Sequence, residues 1–372
     1  MDNPFEKLLN PIQQQLHPYV PGKSIQEIKK HYHINDVIKM ASNENPWGCS
    51  PYVTHFLKKL HVQDISNYPN TYLHPFFNAL SQHLQLPSPM IFISNGSDAI
   101  FSLLIQAFAL PQQKHTLTHE YAFMGFEIQT RSFGLETIKV PVDPKTWRVS
   151  KEDLIKQVTQ KTAIIFLANP NNPTGQMLPY KDIISILDNI PKNCIFVLDQ
   201  AYYEYTHPDA INNNIEQLIE KYPNLVITRT FSKAYGLAGL RLGYAMGHPD
   251  LIDILKRIQL PFTINQMALS AGFEAINDQK FISEIVKLTA QGHQFLHEKL
   301  SKFPFMIRQS FGNFVTIEQQ TDISPLVTYL ESQGIIIRGL HHFGLPNAAR
   351  ISVGTPSQNL RCVETISKFL HN

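Results

Sequence analysis

The sequence predicts an α/β fold, with a mostly parallel central sheet, helices on both faces, and a smaller α+β domain beside it. Three observations carry this expectation. Short apolar runs at 91–93, 162–168, 194–198 and 225–228 have the continuous hydrophobicity of strands buried on both faces. Amphipathic stretches of helical period, such as 98–109 and 180–190, alternate with them. Past about Leu260 the texture changes: a long helical pattern over 265–302 leads into strand-like pieces at 313–317, 334–338 and 349–353. The expected division is a large domain over 45–262 and a small one from 1–44 together with 263–372.

Composition narrows the functional classes. The chain has 372 residues, 43% apolar and 17% charged, with a formal net charge of +2. That balance suits a folded globular protein, and the scattered basic residues argue against a nucleic-acid face or a membrane-surface patch. The first residues lack the basic and apolar runs of a secretory leader. The most apolar long stretch, 100–110, includes Ser102 and Gln106 and is too short to cross a bilayer. Cys49, Cys194 and Cys362 are odd in number and far apart, so free thiols in a reducing compartment, the cytoplasm, are expected.

In open α/β sheets the ligand site lies beyond the carboxyl ends of the strands, and several polar words fall there. Asn169-Pro170-Asn171-Asn172-Pro173-Thr174-Gly175 follows one apolar run; its prolines and glycine fix a turn from which Asn172 can present an amide. Asp199 ends the next run, with Tyr202 three residues on. At a strand mouth a carboxylate can cap a helix, or it can hold a cationic ring nitrogen. Lys233 stands in Thr230-Phe231-Ser232-Lys233 past the third run. Most lysines are solvated and protonated; a desolvated one has a lowered pKa and can attack an aldehyde. Gly96, Ser97 and Asp98 join run 91–93 to an amphipathic helix, where Ser97 can cap the helix and the first amides can face an anion. Together with Ser232 and Arg241 they make a candidate phosphate cup.

Taken together, these windows resemble the class I/II pyridoxal-phosphate aminotransferases of fold type I. The resemblance rests on Asn172-Pro173-Thr174-Gly175, on Asp199-x-Ala201-Tyr202, and on Ser232-Lys233 with Arg241 eight residues later. Within that family, Pro18-Tyr19-Val20-Pro21-Gly22-Lys23, Ser42-Asn43-Glu44-Asn45-Pro46, Asn67-Tyr68-Pro69 and Arg350-Ile351-Ser352-Val353-Gly354-Thr355 are most similar to the histidinol-phosphate aminotransferases.

The resemblance implies pyridoxal 5′-phosphate as cofactor, with Lys233 attached to its aldehyde and moving a proton between substrate Cα and cofactor. It implies that Asp199 holds the pyridine nitrogen, that Asn172 and Tyr202 hold the ring oxygen, and that Tyr121 stacks on the ring. It places Gly96, Ser97, Asp98, Thr230, Ser232 and Arg241 around the phosphate and has Tyr68 reach the partner's site in a homodimer. Tyr19, Asn45, Arg338 and Arg350 are its substrate-binding residues. The reaction implied is transamination between histidinol phosphate and 2-oxoglutarate in histidine biosynthesis.

One window departs from the family. In His119-Glu120-Tyr121-Ala122-Phe123-Met124-Gly125-Phe126 the usual proline-threonine pair before the tyrosine is missing, and Phe123 and Phe126 are expected to make the pocket wall more aromatic. That leaves room for an aromatic amino acid aminotransferase, and the same scaffold could host a decarboxylase of a phosphorylated amino acid. Other signals are weak. The sixteen histidines show no zinc-ligand spacing, and no metal is expected. Gly236, Gly239 and Gly243 do not make a dinucleotide fingerprint, and a DNA-binding regulator would need a basic domain that the first forty residues do not supply.

Overall fold

The computed structural model describes residues 5–18, 22–206 and 215–371. Seven strands form the central sheet: β1 (Ile91–Ser94), β2 (His115–His119), β3 (Thr137–Val140), β4 (Thr162–Ala168), β5 (Ile195–Asp199), β6 (Leu225–Thr230) and β7 (Gly243–Gly247). Their spatial order is β1-β7-β6-β5-β4-β2-β3. β7 runs antiparallel to both neighbours and the other pairs are parallel.

Alternation along these strands builds a core on each face of the sheet. Ile165, Leu167, Phe196, Leu198 and Ile227 pack into one cluster, while Ile164, Phe166, Val197 and Val226 pack into another. The parallel strands therefore read as unbroken apolar runs. Register brings the site together at their carboxyl ends: Ala168 lies beside Asp199, and Asp199 beside Thr228.

Two helices matter for the site. α1 (Ser97–Leu104) leaves β1 through Gly96, whose φ of +78° suits a residue without a side chain. α2 (Met124–Ser132) follows β2.

The expected long helix over 265–302 is two helices, α3 (Gln266–Ile276) and α4 (Gln279–Leu300). Asp278 starts the second by accepting the Phe281 amide at 3.1 Å, and its other oxygen accepts the Ser50 hydroxyl at 2.5 Å. α3 buries Ala268, Leu269, Ala271 and Ala275 in the same cluster as the central sheet.

The remaining sheet has β8 (Met306–Ile307), β9 (Phe314–Glu318), β10 (Arg338–Leu340) and β11 (Leu345–Ser352), in the order β10-β11-β9-β8. It covers a separate core that includes Leu296, Val315, Ile317, Leu326 and Ile351. The expected strand at 334–338 is split: Ile335–Ile336 pairs in parallel with Ile38–Lys39, and β10 turns to pair with β11. Among the described residues, no helix is long and apolar enough to cross a membrane.

Candidate active site

The loop 169–175 spends its buried asparagines on holding the loop in place rather than on the cleft. Asn169 exchanges hydrogen bonds with the Leu178 backbone, its amide donating at 3.1 Å and its oxygen accepting at 2.7 Å. Asn171 donates to the Tyr121 carbonyl at 2.8 Å and to Thr174 at 2.9 Å. At Gly175, with φ +73°, an added Cβ would meet the Ser310 backbone at 2.8 Å. Asn172 alone faces the cleft. Arg350 donates to its Oδ1, which leaves the amide hydrogens to donate elsewhere.

An inner cavity of about 110 Å³ lies at the strand ends, and Asn172, Asp199, Tyr202, Lys233, Ser97, Asp98, Thr230, Ser232, Arg241 and Phe123 are among its walls. An outer cavity of about 410 Å³ adjoins it, and Asp98, Phe123, Asn172 and Lys233 line both. Arg338 and Arg350, directly opposite each other on β10 and β11, line the outer one.

Burial sets the electrostatics. Asp199 is 5% exposed and accepts the Thr228 hydroxyl at 2.8 Å. Loss of water pushes its carboxyl up to about 7, against the opposing pull of the Thr228 bond. Lys233 keeps some exposure to the cleft, yet desolvation of the amine, helped by the Arg350 guanidinium, pushes it down to about 8. Its Nζ donates to the Ser42 carbonyl at 3.1 Å. The Tyr202 phenol is raised by burial; its oxygen accepts from Asn43 Nδ2 at 2.9 Å and its own proton remains free to donate.

At the other end, α1 begins without a side-chain cap. The expectation that Ser97 caps it is not met: Gly96 is the capping position and Ser97 is already helical, so the first amides stay available to an anion. Arg241 donates to Ser232 at 3.2 Å and lies 3.5 Å from Asp98. A Cβ at Gly96 would stand 2.6 Å from the Arg241 guanidinium.

With this geometry in place, the chain can be set beside known proteins. Residues 35–366 match the family model described as aminotransferase class I and II. The chain belongs to the aminotransferase class I and II family. A protein named histidinol-phosphate aminotransferase 2, from Legionella pneumophila strain Lens, is 42% identical over 98% of this chain and 98% of its own. Histidinol-phosphate aminotransferase 1 of Idiomarina loihiensis is 37% identical, also over 98% of both chains. Among solved structures, histidinol-phosphate aminotransferase from Sinorhizobium meliloti, in complex with pyridoxal-5′-phosphate, superposes with a TM-score of 0.86 at 26% identity, covering 97% of this chain and 98% of that one.

In this aminotransferase, three of the residues singled out from sequence, Tyr121, Phe126 and Asn45, sit elsewhere or make other contacts, and Tyr68 lies away from this chain's own cleft. Tyr121, with φ +56°, packs edge-on against Trp147 and lines a neighbouring hollow; Phe123 is the aromatic residue on the walls of both cavities. Phe126 is no wall residue: it is fully buried and stacked on Phe166 at 4.9 Å. Asn45 donates to the Ala234 carbonyl at 2.9 Å and accepts the Trp47 amide at 3.0 Å, so its side chain ties two loops together. Tyr68 is 82% exposed, stacked on Phe262, and absent from the walls of this chain's own cleft. Tyr19 lies outside the described residues.

Sequence reasoning missed a supporting polar network. Asn43, with φ +55°, holds Tyr202, exchanges bonds with the Ser352 hydroxyl at 2.8 Å, and accepts Asn313 on its carbonyl at 3.1 Å. Arg350 also donates to the Ala41 carbonyl at 2.5 Å. No local word marks this network: the burial of Asn43 and its left-handed φ belong to the folded chain, and its partners Tyr202, Asn313 and Ser352 are far from it in sequence.

Proposed function

We propose that the chain is a pyridoxal-phosphate-dependent aminotransferase acting on histidinol phosphate, with glutamate and 2-oxoglutarate as the other amino-keto pair, in histidine biosynthesis. The observation that carries the reading is the meeting of Lys233, Asp199, Asn172 and Tyr202 on one inner cavity that opens, at Lys233, onto an outer one walled by two arginines.

The residues fit the cofactor on their own chemistry. Asp199 is a buried carboxylate without an ion-pair partner among the described residues, and a cationic ring nitrogen would supply the missing charge. The uncapped start of α1, Ser232 and Arg241 offer donors to a phosphate. Asn172 and Tyr202 each keep a hydrogen for a ring oxygen. Phe123, which lines the inner cavity where Tyr121 does not, would cover a ring face. When bound, the cofactor supplies an electron sink for negative charge at the substrate Cα.

The protein's part is binding and proton movement. Asp199, fixed by Thr228, keeps the ring nitrogen protonated. Lys233 Nζ, with its lowered basicity, accepts the proton from substrate Cα and returns it on the other side of the reaction. Arg338 and Arg350 take the substrate's anionic group, the phosphate in one half-reaction and a carboxylate in the other. Arg350 also steadies Asn172, linking substrate wall to cofactor wall.

We take 45–262 as the cofactor domain and 1–44 with 263–372 as the smaller one, with α3 packing back onto the larger. We also propose a homodimer in the cytoplasm. Tyr68, Val62, Ile65, Leu73, Leu260 and Phe262 are exposed apolar residues on one stretch of fold, which supports burial against a second copy and a contribution of Tyr68 to its site.

A second reading, transamination of aromatic amino acids, is favoured by Phe123 and Phe343 on the outer cavity. Steady-state assays of the loaded enzyme with histidinol phosphate, phenylalanine and threonine phosphate separate the readings. A kcat/KM for phenylalanine tenfold above that for histidinol phosphate would refute the first.

A further inference from the structure

We propose that Gln129 is a specificity residue that reads the nitrogen-bearing ring of the substrate; this deepens, and rests on, the histidinol-phosphate reading above. Met124, Gly125, Ile128 and Gln129 are spaced one turn apart on α2 and all line the outer cavity. The opposite stripe of the helix is locked into the core. Phe126 lies on Phe166 and edge-on to Phe101 at 5.0 Å, and Thr130 is 2.9 Å from the Thr116 hydroxyl of β2. The helix therefore cannot roll to present a different face.

This wall is apolar apart from one amide. Ser102, on α1, donates to Gln129 Oε1, and Gln129 Nε2 has no partner among the described residues. Whichever way the amide is turned, Ser102 occupies one of its two polar atoms and leaves the other for a ligand.

The other walls are already spoken for. An amine reaches Lys233, and an anion reaches Arg338 and Arg350. The rest of a substrate that satisfies both must lie on α2, between thioether, aliphatic and aromatic surface and one hydrogen-bonding group. A flat heteroaromatic ring with nitrogen in its edge matches that wall. A phenyl ring would fill the same space, displace water from the amide and give it no partner, which is the kind of mismatch that discriminates between substrates.

The test uses the cofactor-loaded enzyme with two compounds that differ only in the ring: L-histidinol phosphate and 2-amino-3-phenylpropyl phosphate. Wild type is expected to favour the imidazole compound in kcat/KM by about tenfold or more. Gln129→Met, of similar volume, should bring the two within about twofold of each other, with the loss for the imidazole compound falling in KM. Ser102→Ala leaves the amide but frees it to swing, and should give an intermediate ratio. Equal kcat/KM for the pair in wild type, or a ratio that Gln129→Met leaves unchanged, overturns the role of Gln129 while the reaction itself stands. Turnover of neither compound overturns the substrate reading and this inference with it.

Discussion

Replacing Asp199 by Asn should stabilise the protein without its cofactor and disable the protein with it. The substitution keeps the shape and an oxygen that can still accept the Thr228 hydroxyl, and removes only the charge. In the cofactor-free fold, burial raises the carboxyl from its ordinary 3.8 to about 7. At about 1.4 kcal/mol for each unit, the ionised carboxylate costs the folded state up to roughly 4 kcal/mol. Between about pH 4 and pH 7 the folded chain holds a proton that the unfolded chain has released, so wild-type stability falls across that window as pH rises and levels off above it. Asp199→Asn lacks this fall. Its advantage should be near zero at pH 4 and reach up to about 4 kcal/mol at pH 8. Urea unfolding of both cofactor-free proteins at several pH values reads the difference. With pyridoxal phosphate bound the sign should reverse, because the carboxylate then has its cation: the variant loses turnover and gains less stability from the cofactor. A cofactor-free Asp199→Asn less stable than wild type at pH 8, or a loaded variant with wild-type turnover, would refute the reasoning.

Further expectations concern the walls. Arg338→Ala should raise KM for a phosphorylated substrate by about tenfold or more with little change in cofactor affinity, because Arg338 lines only the outer cavity; Arg350→Ala, which also frees Asn172, should weaken both, as equilibrium titration with cofactor and steady-state kinetics would report. Tyr68→Ala should change the stability of the isolated chain by no more than about 0.5 kcal/mol yet weaken cofactor retention in the assembled protein, measured by dialysis and absorbance. Gly96→Ala forces a side chain into left-handed φ and against Arg241, and should lower phosphate and cofactor affinity together with roughly 1 kcal/mol or more of stability, read by calorimetry.

How much of this was legible in the sequence depended on whether one segment carried the signal. The strands buried on both faces, such as Thr162–Ala168, are apolar throughout and were recognised. His115–His119, with Leu117 as its one apolar residue, and Gly243–Gly247 were not: their burial comes from tertiary neighbours rather than composition. The break between α3 and α4 went unread because Asp278 caps a helix inside an otherwise periodic stretch.

The same division holds at the site. Lys233, Asp199 and Asn172 could be found because each ends or follows a strand, where the fold puts ligands. The supports could not. Asn43 and Ser352 meet across 309 positions of sequence, and Thr228 reaches Asp199 only through strand register. The aromatic wall lies two residues further on than expected: Tyr121 leads toward the helix, and Phe123 is the side chain on the walls of both cavities. The Phe123 ring lies over Gly125, where a Cβ would stand 2.3 Å from it.

The central claim is that the Lys233 amine is the attachment point of the cofactor. Borohydride reduction of the loaded enzyme, followed by proteolysis and mass spectrometry, addresses it directly. The account predicts a single pyridoxyl-phosphate adduct, on the peptide that contains Lys233, and none in Lys233→Ala. An adduct on any other lysine, or a Lys233→Ala protein that still acquires one and turns over substrate, would contradict it.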